Sequence, residues 1–554
     1  MADVAAKKPF DPADSPKLAL EGRIVTMNSG FQVIDRGRVF TQNGGIVAVQ
    51  DASAAAPAGF SNVPVANTGG TIFPGMIDLH NHLPYNVLPL WQVPKRFSNR
   101  GQWSRHPEYH TKVSAPMQTL GATEQLLASI CRYVETKALI GGTTTSQGIT
   151  LANQAGIRRY FRGVVRNVED TDEDALPEVS TRVPDVAARD AQAFFTRLKR
   201  EKTCYLLHLS EGLDATARKA FESLQIAPGE WAITPSLCGI HAAALKAQDF
   251  QTLATRGGSM VWSPFSNMLL YGGTADVAAA KAAGVPISLG CDWAPSGSRN
   301  LLNELKVAFL HSEANSIFST RELVGLVTRD AAGLLGWDAV LGSLEAGKRA
   351  DLLVCEGTSA DPYEQLIFAK ESDLSLVMIN GIGRFGSSTI MRKLDFVGET
   401  LKVGGAARML YLAHPVADPL VQGLTLAAAH EALKGALRGL PRLARSAERP
   451  KRVSEAARAR DAGSTWRLAL DEVVDTGVDM RPNLPERSAD GRPLRAAAMM
   501  RPLFREASRS LSASVTPLSI DQLTVVDDAG YLDALDLQLN VPASIKAGLR
   551  GLWA

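Results

Sequence analysis

The 554-residue sequence predicts an α/β protein: a (β/α)8 TIM-like barrel, a β domain split between two stretches of chain, and a mostly helical C-terminal extension. Three observations lead there. Between residues 71 and 342, short apolar runs ending in polar residues or glycine alternate with helix-like segments, the pattern of parallel strands joined by crossovers. That stretch is about 270 residues long, the size of such a barrel. Strand-rich sequence lies on both sides of it.

The first flank, residues 17–66, reads LALEGRIVTM and GRVFTQNGGIVAVQD, with glycines and an Asn-Gly pair where hairpins would turn. The second, residues 343–405, includes GSLEAGKRADLLVCEG and LVMINGIGRF. A chain that leaves a strand-rich unit, builds a barrel and returns implies one composite β domain made from both flanks. Within the barrel the strand-like runs are TIFPGMIDLH, GTTTSQG, YFRGVVRNV, CYLLHLSEG, WAITPSLCGIH, GSMVWSPFSN and VPISLGCDW. These are seven, and the eighth is expected between Glu169 and Thr203. ATEQLLASICRYVETKALI and TADVAAAKAAG read as helices, as does RELVGLVTRDAAGLLG at the barrel's end. The extension, residues 406–554, carries a helical stretch, AAAHEALKGALRGLPRLA, a basic run, PKRVSEAARARDAG, and an ordered-looking end, SIDQLTVVDDAGYLDALDLQL. The basic run reads as a solvated face or linker, and the extension suggests no role of its own.

Composition narrows the function classes. A net charge of +2 gives no reason to expect nucleic acid or a strongly charged partner. The five cysteines are scattered and form no CxxC pair, which fits a reducing compartment. No stretch resembles a signal peptide or a membrane span, so a cytoplasmic protein acting on a small molecule is expected.

The chemistry gathers where the apolar runs end, the face on which barrel enzymes carry reactive groups. IDLHNH ends on His80 and His82, two apart and hence on one face of an extended strand. CYLLHLSEG supplies His208 and Glu211, WAITPSLCGIH supplies His241, and VPISLGCDW supplies Asp292. Three imidazoles and a carboxylate suit a divalent transition metal with a position left for water. A metal there would lower the pKa of that water from about 15.7 to roughly 7. Glu211 is placed to carry protons between water and leaving group, and His241 to orient the nucleophile or stabilise an oxyanion. The plainer alternatives are a helix-start residue for Glu211, an N-cap for Asp292 and a core histidine for His241.

Substrate contacts are expected from the loop after His82, whose Trp91 and Trp103 either clamp a flat ligand or form a satellite core. Trp293, beside Asp292, either lines the pocket or packs. Ser266 and Asn267, in SPFSN, end a strand and are placed to hydrogen-bond substrate, with a cap on the next turn the alternative for Asn267. His106 and His110 have the spacing of a helical metal pair, but Pro107 between them argues for a polar loop.

FPGMIDLHNH, GGTTTSQG, HLSEG, GIHAAAL, SPFSNMLLYGG, ISLGCDW and GSLEAGKRADLLV, in this order, resemble the metal-dependent amidohydrolase superfamily over residues 17–405. The likeness is to the branch of triazine hydrolases, guanine deaminase and adenosine-type aminohydrolases. It implies a (β/α)8 barrel with a split β-sandwich, and one zinc or iron held by His80, His82, His208 and Asp292, with zinc the first expectation. It also implies Glu211 and His241 as catalytic residues, and an oligomer of identical chains as is common in the family. The activity implied is hydrolysis of a non-peptide carbon–nitrogen bond by a metal-activated hydroxide, as ring-amine deamination or cyclic amide opening. A non-catalytic scaffold on the same fold is the alternative. The loop NVLPLWQVPKRFSNRGQWSRHPEYHTK and the run GCDWAPSGSRN depart from the family pattern and leave the substrate open.

Overall fold

The computed structural model describes residues 9–153, 158–171, 173–448, 466–470 and 510–554. The basic run lies outside the described residues. Strands from both flanks form one nine-stranded mixed sheet. Leu18–Val25 lies between Val33–Gln42, antiparallel, and Val65–Pro74, parallel. Val65–Pro74 then pairs antiparallel with Leu352–Glu356, which joins the two flanks. The sheet runs on to Ala406–Leu410, slightly past the expected limit. Two of its hairpins turn on Asn-Gly pairs, Asn43-Gly44 and Asn380-Gly381, with all four residues at positive φ as tight primed turns require.

TIFPGMIDLH, read as one barrel strand, serves two sheets. Thr71 to Pro74 stays in the mixed sheet, and only Met76–Asp78 begins the parallel set. The switch falls at Gly75, where a Cβ would stand 2.4 Å from the Thr144 side chain. Met76–Asp78, Thr143–Ser146 and Arg166–Asn167 form a three-stranded parallel sheet. Ser180–Arg182, Tyr205–Leu209, Leu237–His241, Ser259–Trp262 and Ile287–Leu289 form a five-stranded one. The strand missing from the sequence reading is therefore Ser180–Arg182, three residues long and hard to see among prolines and charges. Two links join the sheets' edges. Val179 N–H donates to Val168 O (2.9 Å), and Asn81 bridges Asp292 in parallel.

Two other expectations change. SPFSN does not end a strand, because the strand stops at Trp262 and Pro264–Tyr271 is a helix with proline in its first turn. The stretch around His106 is helical too: Pro107–Tyr109 starts on Pro107, where proline costs nothing, and His106 caps it from outside.

The extension is built into the molecule. Leu426–Arg438 packs on the helix Glu124–Ile140. Asp521 is buried against both Lys137 and Arg299, with Arg299 Nη2 at 2.6 Å. Gln538 brackets the loop after His82, donating to Trp91 O and accepting from Val93 N–H. Trp553 Nε1 donates to Asn303 Oδ1 at 3.0 Å. Trp466–Leu468 adds an antiparallel strand to Thr150–Asn153.

Candidate active site

His80, His82, His208, Glu211, His241 and Asp292 converge at the C-terminal ends of the parallel strands. The backbone there is under tension: Ser210, His241, Ala242 and Asp292 all have positive φ, between 49° and 69°. Such angles are uncommon outside glycine and gather at functional sites. The bridge to the last strand fixes the first motif, because His82 N–H donates to Asp292 O (2.7 Å) and Asp292 N–H to His80 O (2.8 Å).

The Nε2 atoms of His80 and His82 each lie 3.2 Å from His208 Nε2, and both lie 3.5 Å from Asp292 Oδ1. Donors arranged tetrahedrally at about 2.0–2.1 Å around one ion are about 3.3–3.4 Å apart, so the four fit a divalent metal. Their protonation suits one as well. Burial, and secondarily the neighbouring histidines, pull the pKa values of His80 and His208 well down, so both rings are neutral. Burial pushes Asp292 up to about 7, against the pull of His82.

One segment orients three of these residues from behind. Ser263 Oγ lies 2.7 Å from His80 Nδ1, and Ser266 Oγ–H donates to Asp292 Oδ2 at 2.6 Å. With Nδ1–H donated to Ser263, His80 keeps its Nε2 lone pair for a metal. Asn267 Nδ2 lies 3.1 Å from His241 Nδ1. Its amide is held by Thr274 Oγ1, which donates to Asn267 Oδ1 and accepts from Trp262 Nε1–H. Asn267 therefore donates to His241 Nδ1, and the ring's proton sits on Nε2. His80, His241 and Asp292 also lie close enough to form a ligand group. The Nε2–H tautomer makes His241 a hydrogen-bond donor instead, and the other such group is His80, His82 and His208. Burial pulls His241 down to about 4, partly offset by Glu211, whose Oε2 is 3.7 Å from Nε2.

A cleft opens beside His82 and His208, lined also by Tyr85, Gln147, Glu169 and Arg182. Ala469, from the extension, forms part of its wall. Trp91, Trp103, Trp293 and Asn267 are all brought near the site, but none is among the residues lining that cleft. The three tryptophans are buried, and Trp293 packs between His82 (5.2 Å) and Tyr85 (4.8 Å). Trp103 stacks edge-on to Tyr109 at 4.8 Å. His106 and His110 stand apart from the cluster. Sequence reading did not find Ser263 or Tyr271, although SPFSNMLLYGG directly after a strand was the available signal; it set Ser266 against substrate, whereas the Ser266 hydroxyl donates to Asp292.

Comparisons with known proteins point to a hydrolase of the amidohydrolase type. Residues 207–382 match the amidohydrolase family model. The chain is 23% identical over 405 residues to a 5-methylthioadenosine/S-adenosylhomocysteine deaminase of Bacillus cereus, covering 65% of this chain and 91% of the relative. In fold it is similar to a triazine hydrolase variant (TM-score 0.54, 18% identity, 66% of this chain and 94% of the other). It is also similar to E. coli guanine deaminase (TM-score 0.51, 15% identity, 66% and 99%).

Proposed function

We propose that the protein is a metal-dependent aminohydrolase that removes an exocyclic amine from a nitrogen heterocycle. The convergence of three imidazole Nε2 atoms and Asp292 Oδ1, with Glu211 and His241 alongside, carries this reading. His80, His82, His208 and Asp292 would hold one divalent ion, zinc or iron, which when bound supplies an acidified water as nucleophile. The strand Ser180–Arg182 adds no lysine that could bridge a second ion.

The chain's own residues account for the remaining chemistry. Glu211 accepts a proton from the attacking water and delivers it to the leaving nitrogen, so that a carbon–oxygen bond forms, the carbon–nitrogen bond breaks and ammonia departs. His241 Nε2–H donates to the heteroatom on which charge develops. Gln147, Glu169 and Arg182 give the cleft a polar wall suited to a heterocycle's edge. Trp103, Trp293 and Asn267 serve substrate indirectly, by holding groups that touch it, and Trp91 does so through the loop it anchors. In the same reading the two parallel sheets form one (β/α)8 barrel over 71–342, with the mixed sheet as the split β-sandwich. The links at Val168–Val179 and Asn81–Asp292 support that arrangement.

The test is elemental analysis of protein purified without chelators, then ammonia release from 5′-methylthioadenosine, S-adenosylhomocysteine, guanine and aminotriazines. About one zinc or iron per chain and turnover of at least one amine are expected, with Glu211→Gln keeping the metal and losing at least 100-fold in rate. A metal-loaded protein inert toward all of them would overturn the aminohydrolase reading.

A further inference from the structure

We propose that Tyr271, backed by Trp103, is a positioning residue that fixes which oxygen of Glu211 carries the proton. The inference rests on Glu211 as the proton carrier.

Tyr271 ends the helix Pro264–Tyr271 on the wall facing Glu211, and it is fully buried. Its hydroxyl lies 2.8 Å from Glu211 Oε1 and 2.7 Å from Trp103 Nε1. An indole N–H can only donate. The Trp103 bond therefore occupies a lone pair of the phenol oxygen, and the phenol's single hydrogen is left for Glu211. Burial, and secondarily the Glu211 charge, raise the phenol pKa well above its ordinary value, so that hydrogen stays in place through the working pH range.

Oε1 thus faces a committed donor and has no room for a proton of its own. Any proton Glu211 takes up resides on Oε2. That oxygen looks toward His241 Nε2 at 3.7 Å and Arg100 Nη1 at 3.9 Å, the side on which the metal ligands lie. Without Tyr271, Oε1 loses its fixed donor, the carboxyl can turn about its last bond, and a proton can be stored on the side away from substrate. Trp103 lies in the loop that follows His82, so this loop reaches the proton carrier through two hydrogen bonds.

The experiment compares zinc-loaded full-length wild type, Tyr271→Phe and Trp103→Phe. Crystal structures provide the readout that needs no substrate. Glu211 should hold one carboxyl orientation in wild type and a turned or divided one in Tyr271→Phe, at equal zinc content. For an amine that wild type turns over, Tyr271→Phe should lower kcat by about 10- to 100-fold with KM unchanged. It should cost nothing further in a Glu211→Gln background, whereas a merely structural role would add its own loss there. Trp103→Phe keeps the phenol and should give a smaller loss of the same kind, and it serves if Tyr271→Phe fails to fold. A Glu211 carboxyl unmoved in Tyr271→Phe, or an additive loss in the double variant, overturns the proposal. Wild type inert toward every amine would remove the aminohydrolase reading alone, and the carboxyl orientation would still decide the role of Tyr271.

Discussion

Asn267 holds His241 through its amide nitrogen, 3.1 Å from Nδ1, and is itself held by Thr274. A chain of three side chains, Trp262, Thr274 and Asn267, thereby decides where the proton of His241 sits. Asn267→Ala should release the ring and lower kcat by about 10- to 100-fold. Asn267→Asp should do more damage, because a carboxylate accepts from Nδ1–H and strips the proton from Nε2. Both variants should keep their metal, so turnover measured beside metal content is the check. Full activity in Asn267→Asp would sink the assigned tautomer.

His82→Ala should purify with little or no metal, whereas His106→Ala should keep its full complement. Elemental analysis of the two variants side by side separates the converging histidines from the helical pair. Chelation of wild type should abolish turnover, and one equivalent of zinc should restore it.

Metal uptake should fall as pH drops through about 7. The carboxyl of Asp292 is raised from an ordinary value of 3.8 to about 7, so a proton competes with the metal there below pH 7. His80 and His208 are shifted the other way and stay neutral, so they add no competition in this range. Apparent affinity should drop by at least about tenfold per unit well below pH 7, as displacement of the Asp292 proton alone requires. For the metal-free fold the sign is opposite to that of a paired carboxylate. The Asp292 contribution is most favourable below 3.8 and is lost as pH rises through about 7, where the charge must be buried. Calorimetric titration with zinc from pH 6 to 8 measures the slope, and a flat profile would contradict it.

Asp521→Asn should destabilise the protein by about 3–5 kcal/mol, because Lys137 and Arg299 would both be left buried without their shared carboxylate. Burial already pulls the Lys137 ammonium down to about 8 even with Asp521 beside it. The damage should reach the site, since Lys137 Nζ donates to Asn86 O, and Asn86 Nδ2 donates to Asn81 Oδ1, between the two histidines of the first motif. A denaturant midpoint near that of wild type, with unchanged metal content, would show that the ion pair has no such reach.

The six central residues were legible because each closes an apolar run, and strand ends are where such folds put their chemistry. Ser180–Arg182 was not, because three residues without an apolar run leave no period to read. The pairing of Tyr271 with Glu211 was equally hidden: 60 positions separate them, and only the placing of the helix Pro264–Tyr271 beside the end of the strand Tyr205–Leu209 brings them together. The tryptophans were visible as a group, but whether an aromatic touches ligand or another ring depends on which wall it faces. The extension was the least legible, since helical periodicity says nothing about a single aspartate buried against Lys137 and Arg299.

The Lys137–Asp521 pair spans 384 positions of chain. At about 5–20 residues per second, a ribosome needs roughly 20 to 80 s to travel from one partner to the other. Throughout that time Lys137 has no carboxylate to meet, and the loop bearing Trp91 lacks Gln538. The six converging residues are all made by the time Asp292 is added, yet the contacts from Asp521 and Gln538 come more than 200 positions later. A product ending before Asp521 would thus carry all six converging residues but lack the carboxylate that Lys137 and Arg299 share.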